Sequence, residues 1–196
     1  GAGRQFGAQH SELLEAFAIH SPGMKVVIPS SAADAKGLLI SSIFDPDPVL
    51  FIEPMLMYWD PAYAGPVPEG DYRIPLGKAN TVREGSDVSL ISYGRQVHVC
   101  KEAAEQLASE GISAEVIDLR SIRPIDHATI LASVKKTGRL MVVYEGVKAF
   151  GVGAEISAMV AESEAFDFLD APILRLGAAD APVPYNPDLE RAAVPQ

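Results

Sequence analysis

Val88-Ser89-Leu90-Ile91-Ser92-Tyr93 and, one amphipathic segment later, Ala114-Glu115-Val116-Ile117-Asp118-Leu119 form the stretch that decides the fold. Each run is short, apolar and rich in β-branched residues, the pattern of a strand buried in a sheet. Between them, residues 95–110 place Val97, Cys100, Ala103, Ala104, Leu107 and Ala108 on one helical face, and Gly111 ends that helix. The reading is strand, helix, strand.

The same alternation continues outward. Asp126 caps a helix over 127–136, which Lys135, Lys136 and Gly138 close. Residues 140–144 read as a strand, 153–162 as a helix and 173–176 as a further strand. Alternating strands and helices predict an α/β fold with a mainly parallel sheet covered on both faces. Upstream, residues 1–59 give helix, strand, helix, strand. Residues 25–28 form the first strand, and Ser31-x-x-Asp34 resembles a capping box with Asp in place of Glu or Gln. The helix it opens runs to about Phe44, where Asp45-Pro46-Asp47-Pro48 breaks it. Residues 49–52 read as a buried parallel strand. Residues 60–86, punctuated by Pro61, Pro66, Pro68, Pro75, Gly65, Gly70, Gly77 and Gly85, read as a linker lying against a surface.

The two regions differ in self-sufficiency. The second has enough elements for its own core. The first has two strands and two helices, marginal for an independent sheet. Its strands are expected to have open edges, filled by another chain or by an N-terminal part that precedes Gly1.

Composition excludes several classes. The chain has 196 residues, 48% hydrophobic, with a formal net charge of -10. It can fill one large or two small domains. The acidic balance argues against a nucleic-acid surface and an anionic-membrane anchor. No apolar run reaches the ~18 residues of a membrane span. The single cysteine, Cys100, precludes an internal disulfide and a cysteine-rich metal site. A cytoplasmic setting is expected, or the mitochondrial matrix in a eukaryote.

Several candidate residues have plain structural readings. Cys100, on an apolar helix face without a basic partner in sequence, reads as core. Gly151-x-Gly153 resembles part of a dinucleotide fingerprint, but Ile156 stands where the third glycine belongs, so a tight helix–strand turn is preferred. Asp118, Arg120, Arg123 and Asp126 cluster at a strand end and read as interface or capping residues. His20, His98 and His127 read as surface or packing residues. By spacing alone, His10 is an ionisable group at a helix start, between a glycine-rich loop and an amphipathic segment.

The ordered motifs say more. They include Gln9-His10-Ser11-Glu12, Asp34-Ala35-Lys36-Gly37-Leu38-Leu39, and Asp45-Pro46-Asp47-Pro48-Val49-Leu50-Phe51-Ile52-Glu53-Pro54. They continue with Ile74-Pro75-Leu76-Gly77-Lys78-Ala79, Asp118-Leu119-Arg120-Ser121-Ile122-Arg123-Pro124-Ile125-Asp126 and Phe150-Gly151-Val152-Gly153-Ala154-Glu155-Ile156. Together they resemble the beta subunit of the thiamine-dependent 2-oxoacid dehydrogenase decarboxylating component, along essentially the whole chain. Glu12 stands where that family usually has Gln.

The resemblance implies that residues 1–80 are the C-terminal half of a pyrimidine-binding domain plus linker, and residues 81–196 a transketolase C-terminal-like domain. It implies His10 as the catalytic residue, near the thiazolium and substrate, where an imidazole exchanges protons near neutral pH. It implies potassium on main-chain carbonyls of Ser42, Ile43, Asp45 and Asp47, where a helix C-terminus exposes unpaired oxygens. Asp45 and Asp47 are expected to reinforce that site. Thiamine diphosphate and magnesium belong to the assembled complex and lie mostly outside this chain. Gly70-Asp71-Tyr72 is not followed by the paired asparagines of a diphosphate–magnesium signature. No residue matches the glutamate that activates the aminopyrimidine, since roughly the family's first third is expected to precede Gly1. The implied partners are an alpha subunit, a lipoyl acyltransferase and a second beta subunit. The implied reaction is oxidative decarboxylation of a 2-oxo acid, pyruvate or branched-chain, with acyl transfer to lipoyl groups; acetoin cleavage is a related option. The competing reading is a non-catalytic association module.

Overall fold

A computed structural model of the chain describes residues 1–195. The first region holds α1 (Glu15–Ile19), β1 (Lys25–Val27), α2 (Ala32–Ile43) and β2 (Val49–Phe51). The second opens with β3 (Asn80–Arg83), β4 (Val88–Ser92), α3 (Gln96–Ser109), β5 (Ala114–Asp118) and β6 (Ser121–Arg123). It continues through α4 (His127–Thr137), β7 (Leu140–Val147), α5 (Val152–Ala161), β8 (Leu174–Ala178) and α6 (Pro187–Ala193).

The α/β fold and the mainly parallel sheet are present. The larger sheet has five strands in the order β3-β5-β4-β7-β8. β4 runs parallel to β5 and β7, and β7 parallel to β8. Successive side chains alternate between its faces. Ile91, Ile117, Val142 and Tyr144 pack with Ile130 and Val134 of α4 and Ile156 and Val160 of α5. Leu90, Val116 and Val143 face the other way, with Val97, Cys100 and Ala104 of α3. Cys100 is core, and its burial pushes the thiol up to about 12.

Local signals locate the helix ends. Ser31 Oγ accepts from Asp34 N at 3.0 Å at the start of α2. Asp126 Oδ1 accepts from Thr129 N at 3.2 Å at the start of α4. Gly138 ends α4 in the left-handed region, φ +67°. These are backbone requirements that single residue types meet best.

Three expectations need correction. Residues 60–86 are not all linker: β3 lies within them and pairs antiparallel with β5. Asn80-Thr81-Val82-Arg83 has too little apolar alternation to announce an edge strand. Next to it, Gly85 lies so close to the β5 backbone that a Cβ would come within 2.2 Å of Ala114 C. β2 is parallel to β1 as expected, but not buried: Leu50 is 38% exposed. It is the edge strand of a sheet ordered β2-β1-β6. The third correction concerns the open edges of the first region. One edge of β1 is paired within the chain by β6, antiparallel, with Val26 opposite Arg123 and Val27 opposite Ser121. The two regions therefore share a sheet.

Candidate active site

His10 ends a 3-10 turn, Gly7–Gln9, and is exposed. Its backbone N–H donates to Gly7 O at 3.3 Å, and Ser11 N donates to the same oxygen at 3.0 Å. Gly7 adopts φ +68°, a conformation that glycine supplies without a Cβ penalty. The imidazole is thus presented to the outside from a tightly turned loop. The other histidines are elsewhere. His98 Nε2 lies 2.7 Å from Ser30 O, and its ring meets Tyr63 edge-on at 4.7 Å, a packing role. His20 ends α1 and His127 opens α4.

Just past the His10 loop, Glu15 is buried at the start of α1, 1% exposed. Tyr93 Oη donates to Glu15 Oε1 at 2.7 Å, while Glu15 Oε2 has no hydrogen-bond partner. Burial raises the carboxyl to about 7 against the Tyr93 hydrogen bond, which lowers it. Tyr93 in turn stacks on Tyr144 with ring centroids 6.3 Å apart. Sequence reasoning missed this carboxylate as a buried group, because nothing local marks Glu15 as facing the core.

A second buried polar cluster joins the two regions. Ser30 Oγ donates to Asp118 Oδ2, and Arg120 N donates to Asp118 Oδ1 at 2.9 Å. Arg120 Nη2 lies 2.8 Å from Asp34 Oδ1, and Ser31 Oγ donates to Asp34 Oδ2 at 2.5 Å. Burial lifts the Asp118 carboxyl to about 7, opposed by the Ser30 hydrogen bond. Asp126 keeps a capping role, and Arg123 Nη1 donates to Ile19 O. These groups read as inter-region fastening rather than chemistry.

The candidate cation loop lies at the end of α2. Ser42 O accepts from Asp45 N at 3.4 Å, Ser42 Oγ donates to Leu38 O at 2.7 Å, and Ile43 is 68% exposed. Sequence predicts that the Asp45 and Asp47 carboxylates reinforce this site; in the structure one ammonium is shared between them and offsets only part of their charge. Lys25 Nζ lies 2.7 Å from Asp45 Oδ1 and 3.0 Å from Asp47 Oδ2. The ammonium holds the Asp45 carboxyl below the usual range. Lys25 belongs to β1, so only the parallel pairing of β1 with β2 brings it to this loop.

The described residues do not fit a diphosphate–magnesium centre. Asp71 is engaged by Arg73 through two hydrogen bonds of 2.9 Å on the exposed connection. Among the described residues, no group of three or more His, Cys, Asp or Glu converges as a metal-binding set. Among the described residues, His10 lines neither of two surface concavities of about 570 Å³. One lies between α3 and the larger sheet. The other is aromatic, walled by Tyr58, Trp59 and Tyr63 with Glu53 and Ser31. The hydrogen bond to Glu53 raises the Tyr58 phenol to about 12. No helix among the described residues is long and apolar enough to cross a membrane.

The family described as transketolase, C-terminal domain, matches residues 77–196, and that described as transketolase, pyrimidine binding domain, matches residues 1–59. The mitochondrial pyruvate dehydrogenase E1 component subunit beta-2 of Oryza sativa subsp. japonica is 50% identical over 197 residues, covering 100% of this chain and 52% of the relative. Subunit beta of acetoin:2,6-dichlorophenolindophenol oxidoreductase from Cupriavidus necator is 48% identical over 195 residues, covering 100% of this chain and 56% of the relative. The chain spans about half the length of the curated relatives it matches. Among solved structures, a split gene transketolase, an inactive beta4 tetramer, superposes with a TM-score of 0.73 at 25% identity, covering 89% of this chain and 55% of that one. The chain belongs to the transketolase C-terminal domain family, with a transketolase pyrimidine-binding segment ahead of that domain, an arrangement that it shares along its whole length with pyruvate dehydrogenase beta subunits.

Proposed function

We propose that this chain acts as part of the beta subunit of a 2-oxoacid dehydrogenase decarboxylating component, with pyruvate as the first substrate to test. The observation that carries the reading is its identity of about half its residues, over its full length, to pyruvate dehydrogenase beta subunits from plants. An alpha subunit supplies the diphosphate and magnesium contacts that this chain does not fit, and thiamine diphosphate supplies the carbanion-stabilising chemistry when bound. His10 holds or donates a proton beside the 2-oxo acid, consistent with its exposed place at the end of a tight turn. A lipoyl acyltransferase then takes the acyl group. Potassium on the carbonyls of Ser42, Ile43, Asp45 and Asp47 orders the loop after α2. Residues 1–80 and 81–196 act as the two domains of this arrangement. The working compartment is the bacterial cytoplasm or the mitochondrial matrix.

A second reading has its own support. The similar solved structure is described as inactive and tetrameric, which favours a non-catalytic association module. One assay separates the two. A full-length beta chain that contains these residues is mixed with an alpha subunit, cofactor, magnesium and a lipoyl domain, and acyl-lipoyl formation is followed with pyruvate, a branched-chain 2-oxo acid or acetoin. Turnover with pyruvate that needs both chains supports the enzyme. Complex formation without turnover on any substrate favours the module. In calorimetry the chain alone is expected to give little heat with cofactor and magnesium; micromolar binding by it alone would refute the assignment of that site to the partner.

A further inference from the structure

The strap that leads into His10 is fastened by the far end of the chain. Gly3 N donates to Glu190 Oε1 at 2.8 Å. Gln5 N donates to the same carboxylate, 3.0 Å from Oε2 and 3.2 Å from Oε1. Glu190 lies on α6 and is 2% exposed. Ala2 packs beside it in a small apolar cluster with Ala178, Val183 and Val194. Gly7 rests on the Tyr185 ring so closely that a Cβ would come within 2.4 Å of it.

The platform is itself held. Asn186 Oδ1 caps α6, accepting from Asp188 N at 2.9 Å and Leu189 N at 3.1 Å. At the end of the helix Ala193 O accepts from Ala179 N at 2.9 Å, and beyond it Pro195 O accepts from Gln96 Nε2 at 3.2 Å. The strap's backbone needs such support. Gln5 adopts φ +57°, unusual for a residue with a side chain, and such a conformation persists where its surroundings over-determine it. Bonds from amides to a carboxylate are stronger than those between neutral groups.

We propose that Glu190 is a positioning residue for His10: it fixes Gly3 and Gln5, and the turn at Gly7–Gln9 transmits that fix to the imidazole. The inference rests on the reading of His10 as the group that moves a proton at the substrate. It gives the second region a task besides association, because its last helix sets where the imidazole of the first region stands.

The test uses Glu190→Ala and the isosteric Glu190→Gln, which keeps one acceptor oxygen. Amide hydrogen exchange is measured on the whole chain, comparing residues 3–11 with β4 and β5. Glu190→Ala is expected to speed exchange in the strap at least tenfold while the sheet is unchanged, with Glu190→Gln in between. An unchanged strap overturns the proposal whatever His10 does. The second readout is turnover of a full-length beta chain carrying each variant, assembled with the alpha subunit. Glu190→Gln is expected to lower kcat about tenfold and KM for the 2-oxo acid less than twofold. A loosened strap with full kcat overturns the positioning role. His10→Ala is the separating control. Full turnover in that variant sinks the catalytic reading of His10, and the exchange result then decides alone whether Glu190 holds the strap.

Discussion

Glu15 shows how much a residue's environment changes its chemistry. In sequence it is an ordinary acid at a helix start; in the fold it is buried with one oxygen unpartnered, and its carboxyl is lifted to about 7 from 4.5. The folded state therefore binds its proton more tightly than the unfolded state. Stability from this group is present below pH 4.5 and is lost as pH rises towards 7. The loss amounts to on the order of 3 kcal/mol. Glu15→Gln is expected to flatten that fall, because no charge then has to be buried, and to leave the variant more stable than wild type at pH 8. Urea unfolding at pH 5, 6, 7 and 8 checks it; parallel curves for the two proteins would refute it. His10 is the converse case, legible through its motif rather than through its surroundings. In a full-length beta chain assembled with an alpha subunit, His10→Ala is expected to lower lipoyl-dependent turnover on the order of a hundredfold. Cofactor affinity should change little, since an imidazole that moves protons contributes mainly in the transition state. Unchanged turnover would leave His10 as a loop residue.

At the scale of elements, the Gly151–Gly153 turn separates two chemistries by geometry. A Cβ on Gly153 would lie 2.5 Å from Tyr144 Cε1, and one on Gly151 2.6 Å from Tyr144 Cε2. The glycines are there so that α5 can lie on the Tyr144 ring of β7, as the packing reading of the sequence held. Gly153→Ala sets two effects against each other. Alanine in a helix gains at most about 1 kcal/mol over glycine. Forcing a methyl group against a buried ring costs about 1–3 kcal/mol. The second is expected to win, lowering the urea midpoint with an unchanged m-value. A rise in the midpoint would show that Tyr144 moves freely. Helix limits were legible to within a residue or two, because Ser31, Asp126 and Gly138 act on their own neighbours. β3 and β6 were not. Each is short, and each is a strand only because a partner edge is present.

At the scale of the whole molecule, the shared sheet and the Asp118–Ser30 and Arg120–Asp34 contacts make the two regions one body. Arg120→Ala would leave Asp34 buried without its cation, while the backbone N–H at this position still donates to Asp118. A cost of about 2–3 kcal/mol is expected, below the value for a fully buried pair because the Arg120 side chain is 16% exposed. Calorimetry should show a lower and broader transition as the first region loosens first; a sharp, unshifted endotherm would refute this. The first region also leaves Phe17, Ile43, Phe44 and Trp59 between 67% and 77% exposed. Covering these side chains would remove apolar area from water, which favours association. The purified chain is expected to self-associate or to bind an alpha subunit, read by sedimentation. A monodisperse monomer that binds neither would overturn it.

The sequence by itself determined the α/β class, the order and approximate limits of most elements, the caps, the core place of Cys100 and the family resemblance that picks out His10. Each is written locally, in the two-residue or 3.6-residue period, in a residue type that a cap demands, or in a motif read as a string. Only the tertiary structure decided that β6 completes the first sheet, that Lys25 pairs with both Asp45 and Asp47, that Glu15 is buried, and that Glu190 holds the strap of His10. Glu190 and Gly3 meet across 187 positions. Nothing in the neighbours of either residue encodes the meeting, because a carboxylate gains its amide partners only when two folded surfaces close on each other.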